Sequence, residues 1–298
     1  MKHRAQIRLL SDGRRLHLQD GPIDLIVEAF GEPVEVNKAY GACVARFEMV
    51  LDELCRELKL LRQACCVHDV WPSGSVARRM TAAVAPYATE YFITPMAAVA
   101  GAVAEEILAA MTNSASLSRA YVNDGGDIAL HLDAGEQFVV GMVDRPDQPS
   151  LFGTTTLTDA DPVRGIATSG WRGRSFSLGI ADAVTVLADR AAAADAAATI
   201  IANAVDLPGH PAIVRVPACE LAPDSDLDER LVTQDVGPLN TVEVDRALAA
   251  GIATAAKLLR IGLIRSAALN LQGETRVVGM QQPKPVSPPA HERILVHA

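Results

Sequence analysis

Two hydrophobic rhythms share this chain. Over residues 5–30 apolar side chains fall at every second position, Ile7 and Leu9 and then Leu16 and Leu18, either side of Asp12-Gly13. Alternation around such a turn predicts an antiparallel hairpin. Asp20-Gly21-Pro22 closes it, and residues 23–27 read as a third strand. Over residues 42–63 the rhythm changes. Phe47, Val50, Leu51, Leu54, Leu58 and Leu61 recur at steps of three and four, with Glu48, Asp52, Glu53, Arg56 and Lys59 opposite. That stripe predicts an amphipathic helix against a core. A second helix is predicted over residues 76–84, stopping before Pro86. A third takes Thr94 as N-cap and Pro95 as its first residue and runs to about Met111. Its opening turns hold Ala97, Ala98, Ala100, Gly101, Ala102 and Ala104, a smooth surface that another backbone or a flat ligand can approach closely.

Strands dominate the middle of the chain. Residues 119–123 lead through Asp124-Gly125-Gly126-Asp127 into 128–132. A turn at 133–135 then gives 138–143, and a polar, proline-rich loop follows over 144–149. Short strands are predicted at 154–157 and 165–170. A buried strand at 183–187 precedes a helix over 191–204. The last elements are a strand at 213–216, a helix at 242–259 and a hairpin of 267–271 with 275–278 around Gln272-Gly273. Pro283, Pro285, Pro288 and Pro289 mark residues 281–298 as a mobile tail. Antiparallel hairpins mixed irregularly with helices indicate the α+β class, antiparallel sheets flanked by helices. The arrangement is one domain over residues 1–280, or two packed lobes within it.

Composition narrows the classes of function. Only 4% of residues are aromatic, so Ala, Val and Leu must fill the core. The formal net charge of −9 lacks the clustered Lys and Arg of a nucleic-acid surface. Glu105-Glu106 and Asp182, Asp189 and Asp195 interrupt the two long apolar stretches, so no membrane span is expected. The first residues lack the apolar region of a signal peptide. Five unevenly spaced cysteines (Cys43, Cys55, Cys65, Cys66 and Cys219) read as free thiols of a reducing compartment, hence a cytoplasmic location. Cys65-Cys66 with His68 and Asp69 lacks a second ligand pair at metal-binding spacing.

Three elements carry candidate chemistry. Asp195 and Thr199 stand four apart on a predicted helix, so both side chains leave the same face. A carboxylate with a hydroxyl is a partial shell for Mg²⁺, which takes oxygen ligands. Taken alone, the pair is better explained by an ordinary helix start: an Asp favoured by the dipole, a Thr half-buried a turn later. In Asn123-Asp124-Gly125-Gly126-Asp127, two glycines expose backbone N–H groups and the flanking side chains offer amide and carboxylate contacts. The same run also suits a tight turn between strands. Thr168-Ser169-Gly170 ends a strand with two hydroxyls, suited to a phosphate or a flavin edge, or to a Ser/Thr turn.

In sequence order, Val122-Asn123-Asp124-Gly125-Gly126-Asp127, Ile166-Ala167-Thr168-Ser169-Gly170, Val184-Thr185-Val186 and Ala194-Asp195-Ala196-Ala197-Ala198-Thr199 resemble the successive motifs of the ApbE superfamily. Its best-known members are FAD:protein FMN transferases. The resemblance covers roughly residues 95–204 and implies an ApbE-like, T-fold-related α+β architecture. It implies that Asp195 and Thr199 hold Mg²⁺ with the backbone carbonyl of Ala97. It further implies that Asn123, Gly125, Gly126, Asp127, Thr168, Ser169 and Gly170 line a pocket for FAD or FMN. The implied partner is thus a small nucleotide-like molecule, with neither nucleic acid nor membrane, and the chain is expected to form a homo-oligomer. Three departures stand out. Ala100 occupies the usual Lys position of the small-residue loop. Ser175-Phe176-Ser177-Leu178-Gly179 runs almost directly into the Val-Thr-Val strand without the family's histidine, and the lipobox is missing. The alternatives left open are a non-catalytic binding or regulatory module and an enzyme acting on another cyclic substrate such as a pterin.

Overall fold

The computed structural model describes residues 4–65, 71–143, 151–279 and 294–295. Strands β1 (Gln6–Leu9), β2 (Leu16–Asp20) and β3 (Ile23–Phe30) lead into helix α1 (Pro33–Leu61). Helix α2 (Ser75–Val84) and a 3-10 turn (Pro95–Ala98) precede α3 (Val99–Ser114). Next come β4 (Arg119–Asp124), β5 (Asp127–Leu132), β6 (Gln137–Val143), β7 (Leu151–Thr158), β8 (Gly165–Ser169) and β9 (Ala183–Ala188). Helix α4 (Ala191–Ala204) is followed by β10 (Ile213–Pro217), the single turn α5 (Ala218–Leu221) and β11 (Leu231–Val236). Helix α6 (Thr241–Arg260), β12 (Ser266–Leu271), β13 (Glu274–Gly279) and β14 (Ile294–Leu295) complete the order.

One sheet organises these elements, in the order β1-β2-β3-β4-β5-β8-β9-β12-β13, and every pairing in it is antiparallel. With 39% helix and 28% strand, this is the α+β class expected from the sequence. The pleat sorts the side chains of the central strands. Ala120, Val122, Ala129, Ala167, Val184 and Val186 face the helices, whereas Tyr121, Ile128, Leu130, Ile166 and Leu187 face the other way. The helical side is the main core, filled largely by the alanines of α3 and α4 together with Phe47, Met80, Ile107 and Met111. On the opposite face the β6–β7 hairpin brings Phe138, Val140 and Leu157 onto a smaller apolar cluster. β10 and β11 form a separate two-stranded sheet.

Several boundaries differ from expectation for local reasons. Helix α1 begins at Pro33, nine residues earlier than the stripe indicates, because Pro suits the first helical position and Ala39 extends the buried face backwards. The third helix opens as a 3-10 turn and becomes α-helical only at Val99, after Ala98 departs to φ −134° and ψ 17°. Thr94 has N-cap backbone angles, but its hydroxyl donates to Asp226 rather than serving the helix. Strand β11 escapes the periodicity because Thr233, Gln234 and Asp235 interrupt its apolar run. By length and composition residues 95–114 would reach across a bilayer, yet α3 packs against α1, α2, α4, β4 and β5. The described cysteines Cys43, Cys55 and Cys219 are free thiols, and burial pushes Cys43 up to about 12. Cys66, His68, Asp69, the 144–149 loop and the tail apart from β14 lie outside the described residues.

Candidate functional site

Helix α4 is almost all alanine and isoleucine on its packed sides, and its polar exceptions are regularly spaced. Asp195, Thr199 and Asn203 stand at steps of four, so they share one face, and all three line a cleft of about 590 Å³. The turn between β4 and β5, the end of β8 and the start of α3 contribute the other walls. A loop at residues 222–227 also reaches it, held by the Thr94 hydroxyl on Asp226 and by Arg62 on Asp224 at 2.8 Å.

Helices α3 and α4 meet with their N-termini satisfied by each other. Gly101 N–H, which in a regular helix would bond the carbonyl of Ala97, donates to Asp195 Oδ2 at 3.1 Å. Glu105 on α3 accepts from Ala192 N–H at the start of α4, at 2.9 Å. Each carboxylate thereby fills an orphan donor position of its neighbour. The contact leaves no space for a side chain at residue 101, where a Cβ would lie 2.4 Å from the carbonyl oxygen of Ala191. The smooth surface of α3 is thus used at this point by backbone.

Asp127 continues the helix-facing pattern of β5 into the cleft, and Thr168 N–H donates to its Oδ1 at 3.2 Å. The Thr168 hydroxyl pairs with Thr185 at 2.9 Å. Asp124 ends β4 opposite Asp127 and is buried. Burial raises the pKa values of all three carboxyl groups, Asp124, Asp127 and Asp195. Repulsion from Asp195 and Asp124 adds to the effect at Asp127, and Asp124 adds to it at Asp195, where the Gly101 N–H opposes. Asp124 is pushed up to about 7, with Arg174 acting against the burial.

This donor set is one that a small hard cation fits. Two carboxylates stand near enough to hinder each other's ionisation, with a threonine hydroxyl and the carbonyl-bearing Ala97 along the same cleft. Among the described residues no three His, Cys, Asp or Glu side chains gather as a complete shell. A Mg²⁺ ion would therefore draw its remaining oxygens from water or ligand.

Of the residues singled out in the sequence, Ala97, Gly125, Asp127, Thr168, Ser169, Gly170, Asp195 and Thr199 line this one cleft. Asn123 and Gly126 have a different position. Asn123 Oδ1 accepts from Gly126 N–H at 2.8 Å inside the tight turn, where Gly125 and Gly126 have φ of 61° and 108°. The turn reading applies to that pair, while Gly125 also meets the cleft, under the guanidinium of Arg174. Sequence reasoning passed over Asn203, Arg62, Arg172, Arg174 and the 222–227 loop. Asn203 had a signal, as the third polar residue at four-residue spacing. The loop had none, because only folding carries it to α3.

The chain matches the family described as "AbpE bacteria" over residues 7–277. A UPF0280 protein of Methanopyrus kandleri is 42% identical over 43% of this chain and 48% of the relative. Another from Methanococcoides burtonii is 40% identical over 40% of this chain and 48% of the relative. The chain thus spans about half the length of the curated relatives it matches. Among solved structures, the apo flavinyl transferase ApbE of Pseudomonas stutzeri is 10% identical at a TM-score of 0.39, covering 92% of this chain and 93% of that one. A variant of the flavin transferase ApbE from Vibrio cholerae is 12% identical at a TM-score of 0.35, covering 92% and 96%. On the family match over nearly its whole length, this chain is a member of the bacterial ApbE-like family.

Proposed function

We propose that the cleft binds a flavin nucleotide, FAD or FMN, together with Mg²⁺. The observation that carries this reading is the meeting of Asp127, Asp195 and Thr199 with Thr168-Ser169-Gly170 along one cleft. Asp195 and Asp127 supply negative charge, Thr199 a hydroxyl and Ala97 a carbonyl for the cation, which when bound would offset phosphate charge and polarise phosphoryl oxygens. Thr168 holds Asp127 in place through its N–H, and Gly101 does the same for Asp195. Arg62, Arg172 and Arg174 bring positive charge to the cleft, where the family resemblance would place a lysine at residue 100.

The test is calorimetric titration of FAD with Mg²⁺ into the wild-type chain and Asp195→Asn, which keeps an acceptor for Gly101 N–H. Binding by the wild type, weakened about tenfold or more by the substitution, is expected. Equal binding by both would remove the metal assignment, and no binding by the wild type would remove the flavin assignment.

A second reading is a module that binds the nucleotide without transferring it. The specific observation is that the described residues lining the cleft include no His, Lys or Cys. Proton transfer would then fall to a carboxylate, and Asp127 and Asp195 are assigned to the cation while Asp224 and Asp226 are tied to Arg62 and Thr94. Mass spectrometry of an acceptor protein incubated with FAD and Mg²⁺ separates the two, since FMN attachment dependent on Asp195 would sink the binding-only reading.

A further inference from the structure

Asn203 is bound on one side of its amide and open on the other. Its Oδ1 accepts from Leu178 N–H at 2.9 Å and from the Ser177 hydroxyl at 3.3 Å. The Ser177 Oγ also takes Gly179 N–H at 3.2 Å, and the Ser177 carbonyl takes Thr233 N–H at 2.8 Å. These bonds fix the 176–179 segment and settle the orientation of the Asn203 amide, because only an oxygen accepts from Leu178 N–H. Among the described residues no acceptor takes the Nδ2 group, and Asn203 lines the cleft. Beside it on the same wall stand Leu178 and Phe176. In a chain with so few aromatics, the Phe176 ring is left 38% exposed. Asp195 lies eight residues back on the same helix face, roughly 12 Å along the axis.

We infer that this end of the cleft is a ring subsite, in which Phe176 and Leu178 pack on a planar heteroaromatic ligand and Asn203 Nδ2 donates to a carbonyl on the ring edge. The inference rests on the nucleotide reading above and assigns the orientation within it. The phosphates lie toward Asp195 and Thr199, and the carbonyl-bearing ring lies toward Asn203. Adenine can take Nδ2 only singly, at a ring nitrogen. Paired recognition of adenine by an asparagine uses the amide oxygen for the exocyclic amine, and here that oxygen is already committed to Leu178 and Ser177. A flavin, with carbonyls on its pyrimidine edge, accepts from Nδ2 directly. An unfilled donor in such a site penalises a ligand that lacks the acceptor.

The decisive experiment compares FAD with ADP-ribose, which carries the same adenosine and pyrophosphate without the flavin. Both are titrated by calorimetry with Mg²⁺ into the wild type, Asn203→Asp and Phe176→Ala. Asn203→Asp keeps an acceptor for Leu178 N–H and replaces the donor with a carboxylate oxygen. The wild type should favour FAD by about tenfold or more, and either substitution should bring the preference to within about threefold while ADP-ribose affinity stays nearly unchanged. Phe176→Ala alters an exposed side chain, so it carries the test if Asn203→Asp fails to fold. Retention of the FAD preference in the variants that fold would overturn the ring subsite while leaving nucleotide binding intact. So would equal weakening of both ligands, which marks charge or wall distortion as the cause. A wild type that binds ADP-ribose as tightly as FAD overturns the ring subsite alone. A wild type that binds neither overturns the nucleotide reading and the subsite with it.

Discussion

At the scale of single residues, the carboxylates around the β4–β5 turn set the chemistry of the cleft. Asp124 is buried at the end of a strand whose preceding helix-facing residues are Val122 and Ala120, so its charged form is poorly solvated and its pKa rises to about 7. The sign of the pH effect follows. An unfolded aspartate titrates near 4, so between about pH 4 and pH 7 the folded chain holds a proton that the unfolded chain has lost. The associated stability is fully present below that window and is lost as pH rises through 7. In the absence of divalent ions the wild-type chain should therefore be less stable to urea at pH 8 than at pH 5. Asp124→Asn should remove part of that loss, up to about 3 kcal/mol. Equal pH dependence of the two proteins in urea melts would show that Asp124 ionises freely in the folded chain.

At the scale of elements, the site depends on how closely α3 and α4 approach. Gly101 lets the backbones meet, and the carboxylates of Asp195 and Glu105 cap the helix starts at the contact. Gly101→Ala should cost about 1–3 kcal/mol by overpacking, because its methyl group meets backbone atoms that cannot rotate away. Gly41→Ala makes the matched control. That glycine lies at an exposed position of α1 with open space around it, and the exchange should stabilise by up to about 1 kcal/mol through helix propensity. Urea midpoints read both effects. Loss of stability in both variants would mean that helix propensity and local space at α1 are misjudged. Loss in neither would mean that the α3–α4 contact yields easily.

At the scale of the whole molecule, the cleft joins walls that are remote in sequence. The 222–227 loop is tied to Thr94 and Arg62, the 175–178 segment to α4 and β11, and β8 to β5 and β9. A ligand bridging these walls should stabilise the fold as a unit. FAD with Mg²⁺ at about a hundred times its dissociation constant should add about 2.7 kcal/mol. For a chain of this size that raises Tm by roughly 4–5 °C. A thermal-shift scan with FAD alone, Mg²⁺ alone and both together measures it. An equal rise with FAD alone would count against a role for the cation in binding.

Much of this was open to a reader of the sequence, and the limits are physical. Helix α4 was predicted at its observed bounds, because an alanine-rich run between a strand and a loop admits little else. The β12–β13 hairpin was legible from the two strand segments that close around Gln272-Gly273. Periodicity also placed Asp195 and Thr199 on one face, and the four motifs in order indicated the family. Periodicity is local, however, and records only which neighbours share a face. It gave no sign that α3 would break at Ala98, that Thr94 would turn its hydroxyl to Asp226, or that Asp195 would meet the N-terminus of α3. Those events depend on segments up to 132 residues apart in the chain, and packing of the sheet and helices decides them. The sequence by itself determined the elements, their core faces and the kinds of side chain available. Only the tertiary structure decided that those side chains converge on one cleft, and that Asn203, bound through its oxygen, lines it with its nitrogen unpaired.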